Sequence, residues 1–169
     1  MSYQSYQAMV EGALDAIVAR LQTVQALKTV AITEPGKLDV GRMPAAYVML
    51  DKDMVKRGTR FLEEHTITVI ISVIRVVRGT AHGDVELVQG FQDGVALVSA
   101  CYDALATERT LGGAVNDLTI TAVEYGRTPL DVGVVFWGEL QVEIRAAYAP
   151  GQPTGGTLMQ KVTSTGQVS

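Results

Sequence analysis

The stretch "VFWGELQVEIRA", residues 135–146, decides how this chain is read. Phe136, Gly138, Leu140, Val142, Ile144 and Ala146 fall on one side of an extended backbone. Val135, Trp137, Glu139, Gln141, Glu143 and Arg145 fall on the other. Successive strand side chains point to opposite faces, so the first row is a core row and the second an outer row. The outer row is polar, yet it carries the chain's one Trp. It raises the question of what covers that face: water, a ligand or another copy of the chain.

The same alternation extends outward. "DVGVVFWGELQVEIRAAY" (131–148) reads as one long strand, and "VNDLTITAVEY" (115–125) as its partner, with "GRTPL" between them. "FLEEHTITVIISVIRVV" (61–77) is a third long strand, β-branched, with Ile67, Val69, Ile71 and Val73 on one face. "AAYVML" (45–50) and "LKTVAI" (27–32) are shorter strands, and "TEPGKLDVGRMP" (33–44) is a loop. "DKDMVKRGTR" (51–60) reads as a charged connection. Two segments have helical spacing instead. Over residues 3–23, Tyr6, Val10, Ala13, Leu14, Ile17 and Leu21 share a face. From Asp84, a plausible N-cap, to Ala106 the stripe is Val88, Phe91, Val95, Val98, Tyr102 and Leu105. The order predicts an α+β fold: one mainly antiparallel sheet of about five strands with both helices packed on one face. Residues 1–148 form the single domain, and 149–169, with no amphipathic period, a flexible tail that adds little to folding.

Length makes the outer face more pointed. The last strand, about 16 residues, spans roughly 50 Å. The second helix, about 22 residues, spans roughly 33 Å. Helices of this length cannot cover such strands end to end, so some sheet must project or be covered by another chain.

Composition bounds the partners. The chain has 169 residues, 47% apolar and 19% charged, with a formal net charge of −4. That acidic balance argues against free DNA or RNA as the primary partner. A single cysteine excludes an internal disulfide and any multi-cysteine metal site. The N-terminus does not read as a secretory signal, and no apolar run is long enough to span a bilayer. The expectation is a soluble protein of a reducing cytoplasm.

No pattern of catalytic residues emerges. His65 and His82 stand without metal-ligand spacing and read as solvated. Cys101, beside the apolar stripe of the second helix, reads as a buried structural thiol. Glu139 and Glu143 are ~13 Å apart along one strand, too far for a paired acid and base. Phosphate-loop and nucleophile-elbow motifs are absent, so no cofactor or metal is expected and the chain is not read as an enzyme. Two contact surfaces stand out. Lys52, Lys56, Arg57 and Arg60 crowd one connection, either as a solvated hairpin tip or as a basic loop that docks on an acidic partner. Trp137, Glu139, Gln141, Glu143 and Arg145 line the outer strand face, with Ile70, Ile74 and Val76 of the neighbouring long strand adding apolar content. Trp is enriched at interface centres.

The layout resembles the tail terminator proteins, also called tail completion or neck proteins, of long-tailed bacteriophages. The resemblance covers residues 3–147. It lies in the opening helix "YQAMVEGALDAIVARLQ", the loop and strand "RMPAAYVML", and "HTITVIISVIRVV" followed by "DVELVQGFQDGVALVSACYDAL". The Gly-Gly break and two closing strands, "LGGAVNDLTITAVEY" and "VVFWGELQVEIRA", complete it. It implies a structural virion subunit that forms a ring, hexameric in such proteins, at the head-proximal end of the tail tube. Such a ring ends tube growth and joins tail to head. The implied partners are further copies, the tail tube protein and the head–tail connector protein. DNA passes the lumen unread, and no membrane is involved. The implied location is the virion neck, after assembly in the host cytoplasm. A head-completion or connector role within the neck remains open, as does a small ligand-binding or enzymatic domain.

Overall fold

A computed structural model describes residues 5–33, 36, 39–59, 61–77, 84–130 and 133–151. The chain opens with helix α1 (Tyr6–Leu21), then strand β1 (Thr29–Ile32), a single 3-10 turn at Val40–Arg42, and strands β2 (Ala45–Thr59) and β3 (Leu62–Val77). Helix α2 (Asp84–Ala106) follows, then a 3-10 turn at Leu111–Gly113 and strands β4 (Asp117–Leu130) and β5 (Gly133–Tyr148). The five strands form one sheet in the order β1-β2-β3-β5-β4. Only β1 joins parallel to its neighbour; the other pairings are antiparallel. The α+β class, the five strands and the two helices on one face are as the periodicity predicts.

The register explains the core. Phe136, Gly138, Leu140, Val142, Ile144 and Ala146 of β5 are all buried, opposite Arg75, Val73, Ile71, Val69, Ile67 and His65 of β3 on the same face. Helix α1 lays Met9, Val10, Ala13, Leu14, Ile17 and Leu21 on this face. Ser5 starts the helix, its hydroxyl accepting the Ala8 N–H at 3.0 Å, which satisfies one orphan donor of the first turn. Arg20 ties the two helices: its Nε donates to the Ala104 carbonyl at 2.6 Å and its Nη2 to the Thr107 hydroxyl at 3.0 Å.

Helix α2 departs from its predicted stripe. Val98 and Leu105 are buried and Phe91 is half-buried, but Val88, Val95 and Tyr102 are exposed. The reason is glycine. A Cβ on Gly90 would stand 2.4 Å from Val77 Cγ1, and one on Gly94 2.4 Å from Phe136 Cδ1. The helix approaches the sheet along Gly90, Gly94, Leu97, Val98, Cys101 and Leu105, and this rotates Val88, Val95 and Tyr102 about 80–120° away at ~100° per residue. Glycine here therefore reverses the usual helix rule. Gly94→Ala should lower stability by about 1 kcal/mol, because overpacking against Phe136 outweighs the gain in helix propensity. Gly12→Ala in α1, where a Cβ meets nothing within 4 Å, should raise it by roughly 0.5–1 kcal/mol. Urea denaturation of both variants checks the opposite signs.

Two segments read as connections are strand. Residues 51–59 continue β2, paired with β3 down to Thr59↔Leu62. Gly126–Leu130 continue β4, paired with β5 down to Leu130↔Gly133. Antiparallel pairing is made by backbone groups, so a partner strand in register can extend a neighbour whose side chains show no apolar alternation. The "basic loop" is thus the projecting half of the β2–β3 hairpin, an arm beyond the helical layer. Of the two outcomes the strand lengths allowed, projection or cover by another chain, the arm is the first. His82, Arg60 and residues 152–169 lie outside the described residues, so the reading of the tail as flexible meets only Ala149–Gly151 here.

Candidate functional site

The candidate site is the sheet face that the helices leave bare, together with the arm. Trp137, Glu139, Gln141, Glu143 and Arg145 do face away from the helices, in register with Ile74, Ser72, Ile70, Thr68 and Thr66 of β3. On the far side they meet Gly126, Glu124, Ala122, Thr119 and Asp117 of β4. From β2 come Ala45, Tyr47 and Met49. The face grades from one end to the other. At the first end, Met43, Ala45, Ile74 and Val135 are buried in a small second core, with Tyr47, Val76 and Trp137 packed against it. The indole lies on Gly126: a Cβ there would come within 2.0 Å of Trp137 Cζ2. Trp137 is half-buried on its own subunit, so it is neither a free anchor nor a full core residue.

The middle of the face is acidic. Glu124 stands directly opposite Glu139, and Glu143 lies two residues further along β5 than Gln141. Among the described residues none of the three forms an ion pair or hydrogen bond. Like charges directly opposite each other across a sheet are destabilising. At the last end, Lys56, Glu64, Thr66, Asp117 and Arg145 border one open cleft of about 550 Å³. The structure therefore brings Lys56 and Arg145, which the sequence placed on separate candidate surfaces, to the same cleft. Asp117 is held by Arg109, whose Nη2 donates to Oδ2 at 2.9 Å.

On the arm the four-cation reading changes. β-Bulges at Asp51 and Gly58 interrupt the register of β2 with β3. Each bulge shifts side-chain parity by one. The first leaves Lys52, Met54 and Lys56 on the outer face with Thr68, Thr66 and Glu64 opposite, and Asp53, Val55 and Arg57 on the inner face with Ile67, His65 and Glu63 opposite. The cations are split between two sides of a ribbon, and Glu63 and Glu64 face two of them. Of the two sequence readings, hairpin tip and basic loop, the pairing gives the hairpin, and it is mixed in charge because β3 supplies Glu63 and Glu64 opposite the cations. It also exposes apolar side chains: Met54 is 53% exposed, Val55 55% and Phe61 66%.

The arm is rooted on His65. The expectation of a solvated imidazole is overturned: the ring is buried beneath Tyr6 and Tyr148, with centroids at 5.5 Å and 5.9 Å. Its Nδ1 bonds Asp53 Oδ2 at 2.6 Å, and its Nε2 lies 3.5 Å from Glu63 Oε2. The Tyr6 hydroxyl donates to the same Asp53 oxygen at 2.9 Å. Partial burial, followed by this bond to Asp53, raises the Tyr6 phenol above its ordinary pKa. Asp53 thus joins α1, β2 and β3 at the base of the arm. Only a residue-by-residue register could have disclosed it, since Asp53 reads as one more charge in a charged run.

Cys101 is fully buried in the core, and burial pushes its thiol pKa up to about 12. The thiolate is the reactive form. Native protein should therefore resist alkylation at neutral pH, and denaturant should make the thiol fully titratable; rapid native labelling would contradict the placement. Among the described residues no group of three or more His, Cys, Asp and Glu is arranged to hold a metal, and no helix is long and apolar enough to cross a membrane.

No family model and no curated protein matches the chain. The structure is similar to a solved chain described as the virion of a native gene transfer agent particle, at 14% identity and a TM-score of 0.44. That similarity covers 85% of this chain and 99% of the other.

Proposed function

We propose that the chain is a structural subunit of a phage-type virion that assembles into a ring on the head-proximal end of the tail tube. There it ends tube growth and presents a surface to the head connector. The observation that carries this reading is a sheet finished on one face and unfinished on the other. One face is sealed by two helices. The other holds a half-buried Trp and an unneutralised pair of acids, and its strands run on into an arm that the subunit does not cover. A subunit built to be completed by copies of itself has these features. The layout of the sequence, which resembles tail terminators, supports the same role. In this reading the tail tube protein and the connector are the heterologous partners, and DNA passes the lumen without being read.

Electron microscopy of the full-length chain mixed with purified tail tubes tests the proposal. Rings seated on one tube end, with tube elongation stopped, are expected. Tubes that keep growing with bare ends would refute it.

A further inference from the structure

We propose that the arm of one copy seats on the outer sheet face of a second, the cations of its outer side, Lys52 and Lys56, set against Glu124, Glu139 and Glu143. This rests on the reading of the chain as a self-assembling subunit and specifies which surfaces meet.

The first argument is charge. Glu124 and Glu139 are cross-strand neighbours with no cation to offset them among the described residues, and Glu143 extends the acidic patch. Lys52 and Lys56, which share the outer side of the arm, are exposed and likewise form no ion pair with any described residue. Each surface lacks what the other offers. The second argument is apolar area. Met54 on the outer side of the arm and Phe61 near its tip have no cover, and the acidic patch is bordered by half-buried Tyr47, Met49, Ile70 and Trp137.

The third argument excludes the obvious alternative, in which sheets join edge to edge. The open edge of β4 is broken by a bulge at Thr121 and carries Pro129. On the other side the edge strand β1 is only 4 residues long, and the open edge of the arm beyond it is broken by bulges at Asp51 and Gly58 and carries two lysines. Bulges, proline and lysine are the devices that blunt edges against strand addition. With the edges blunted, the faces remain. The arm continues the same sheet whose outer face it would meet, so it cannot fold back onto that face without unzipping β2 from β3. The contact must therefore join two copies. The surfaces are different parts of the chain, so the contact can run head to tail, the geometry that gives a ring when its rotation closes.

Sedimentation of the full-length chain over a wide concentration range, at low and high salt, provides the test. One variant carries Lys52→Glu and Lys56→Glu; a second carries Glu124→Lys, Glu139→Lys and Glu143→Lys. Each should weaken self-association about tenfold or more at low salt, with less effect at high salt. The five-substitution chain, or an equal mixture of the two variants, should recover most of the loss, because coupled partners compensate. Glu124→Gln with Glu139→Gln should raise the melting temperature of the subunit while weakening association, since it relieves the like-charge pair and removes its docking role together. Association insensitive to either reversal, or reversal of both without rescue, overturns the arm-to-face contact and leaves the ring reading standing. A melting gain with association unchanged also overturns it. Wild-type chain that stays monomeric at every concentration and salt overturns both.

Discussion

Leu140→Ala should lower subunit stability by about 2–5 kcal/mol. Leu140 is fully buried on the helix side of β5, opposite Ile71 of β3 and Val123 of β4. The two neighbouring strands and the main core around it hold its surroundings, so the cavity left by the lost atoms cannot collapse. Trp137→Ala, three residues earlier and on the other face, should divide its effect differently. Its ring rests on Gly126 and the small second core, so the subunit loses some packing, but less than at Leu140 because Trp137 is only half-buried. On the proposed interface its larger effect is on association, about tenfold or more, as for aromatic residues near the centre of a contact. Paired thermal melts and sedimentation separate the two. Equal melting losses would mean that both faces are core. No loss of either kind at Trp137 would place the interface elsewhere.

The second large effect is expected at Asp53. Asp53→Ala removes the acceptor of both the His65 ring and the Tyr6 hydroxyl. His65 Nε2 already lacks a hydrogen-bond partner, so the buried ring would be left with none at either nitrogen. Stranding a buried polar group costs about 1–3 kcal/mol. The loss is also local. Asp53 sits where β2 leaves the helical layer, so amide exchange should rise through residues 52–66 before it rises in the core strands. Asp53→Asn keeps an oxygen acceptor and should recover part of both effects. If Asp53→Ala melts like the wild type and protects the arm equally, His65 does not anchor the arm.

The two expectations differ in how far the sequence alone leads to them. The inner row of β5, from Phe136 to Ala146, is legible because a strand buried on one face must alternate, and each of its members is buried. The same holds for α1, where Met9, Val10, Ala13, Leu14, Ile17 and Leu21 mark one side of a helix started by Ser5. Strand length against helix length already required that some sheet project or be covered by another chain. These are local periodicities, set by backbone geometry and the exclusion of apolar side chains from water, and they need no knowledge of the partner strand. The like-charge pair of Glu124 and Glu139, the seating of Trp137 on Gly126 and the burial of His65 under Tyr6 and Tyr148 are different in kind. Each depends on which residue stands opposite which, across strands that no local pattern aligns. The arm is the clearest case. Residues 51–59 carry no alternation of their own, and become strand because β3 beside them offers a continuous row of backbone donors and acceptors. Two bulges then decide which cations point to which side. The sequence determined the class of the fold and its buried rows. The tertiary structure decided the composition of the bare face and the reach of the arm, because register is a property of pairs of strands and not of either strand alone.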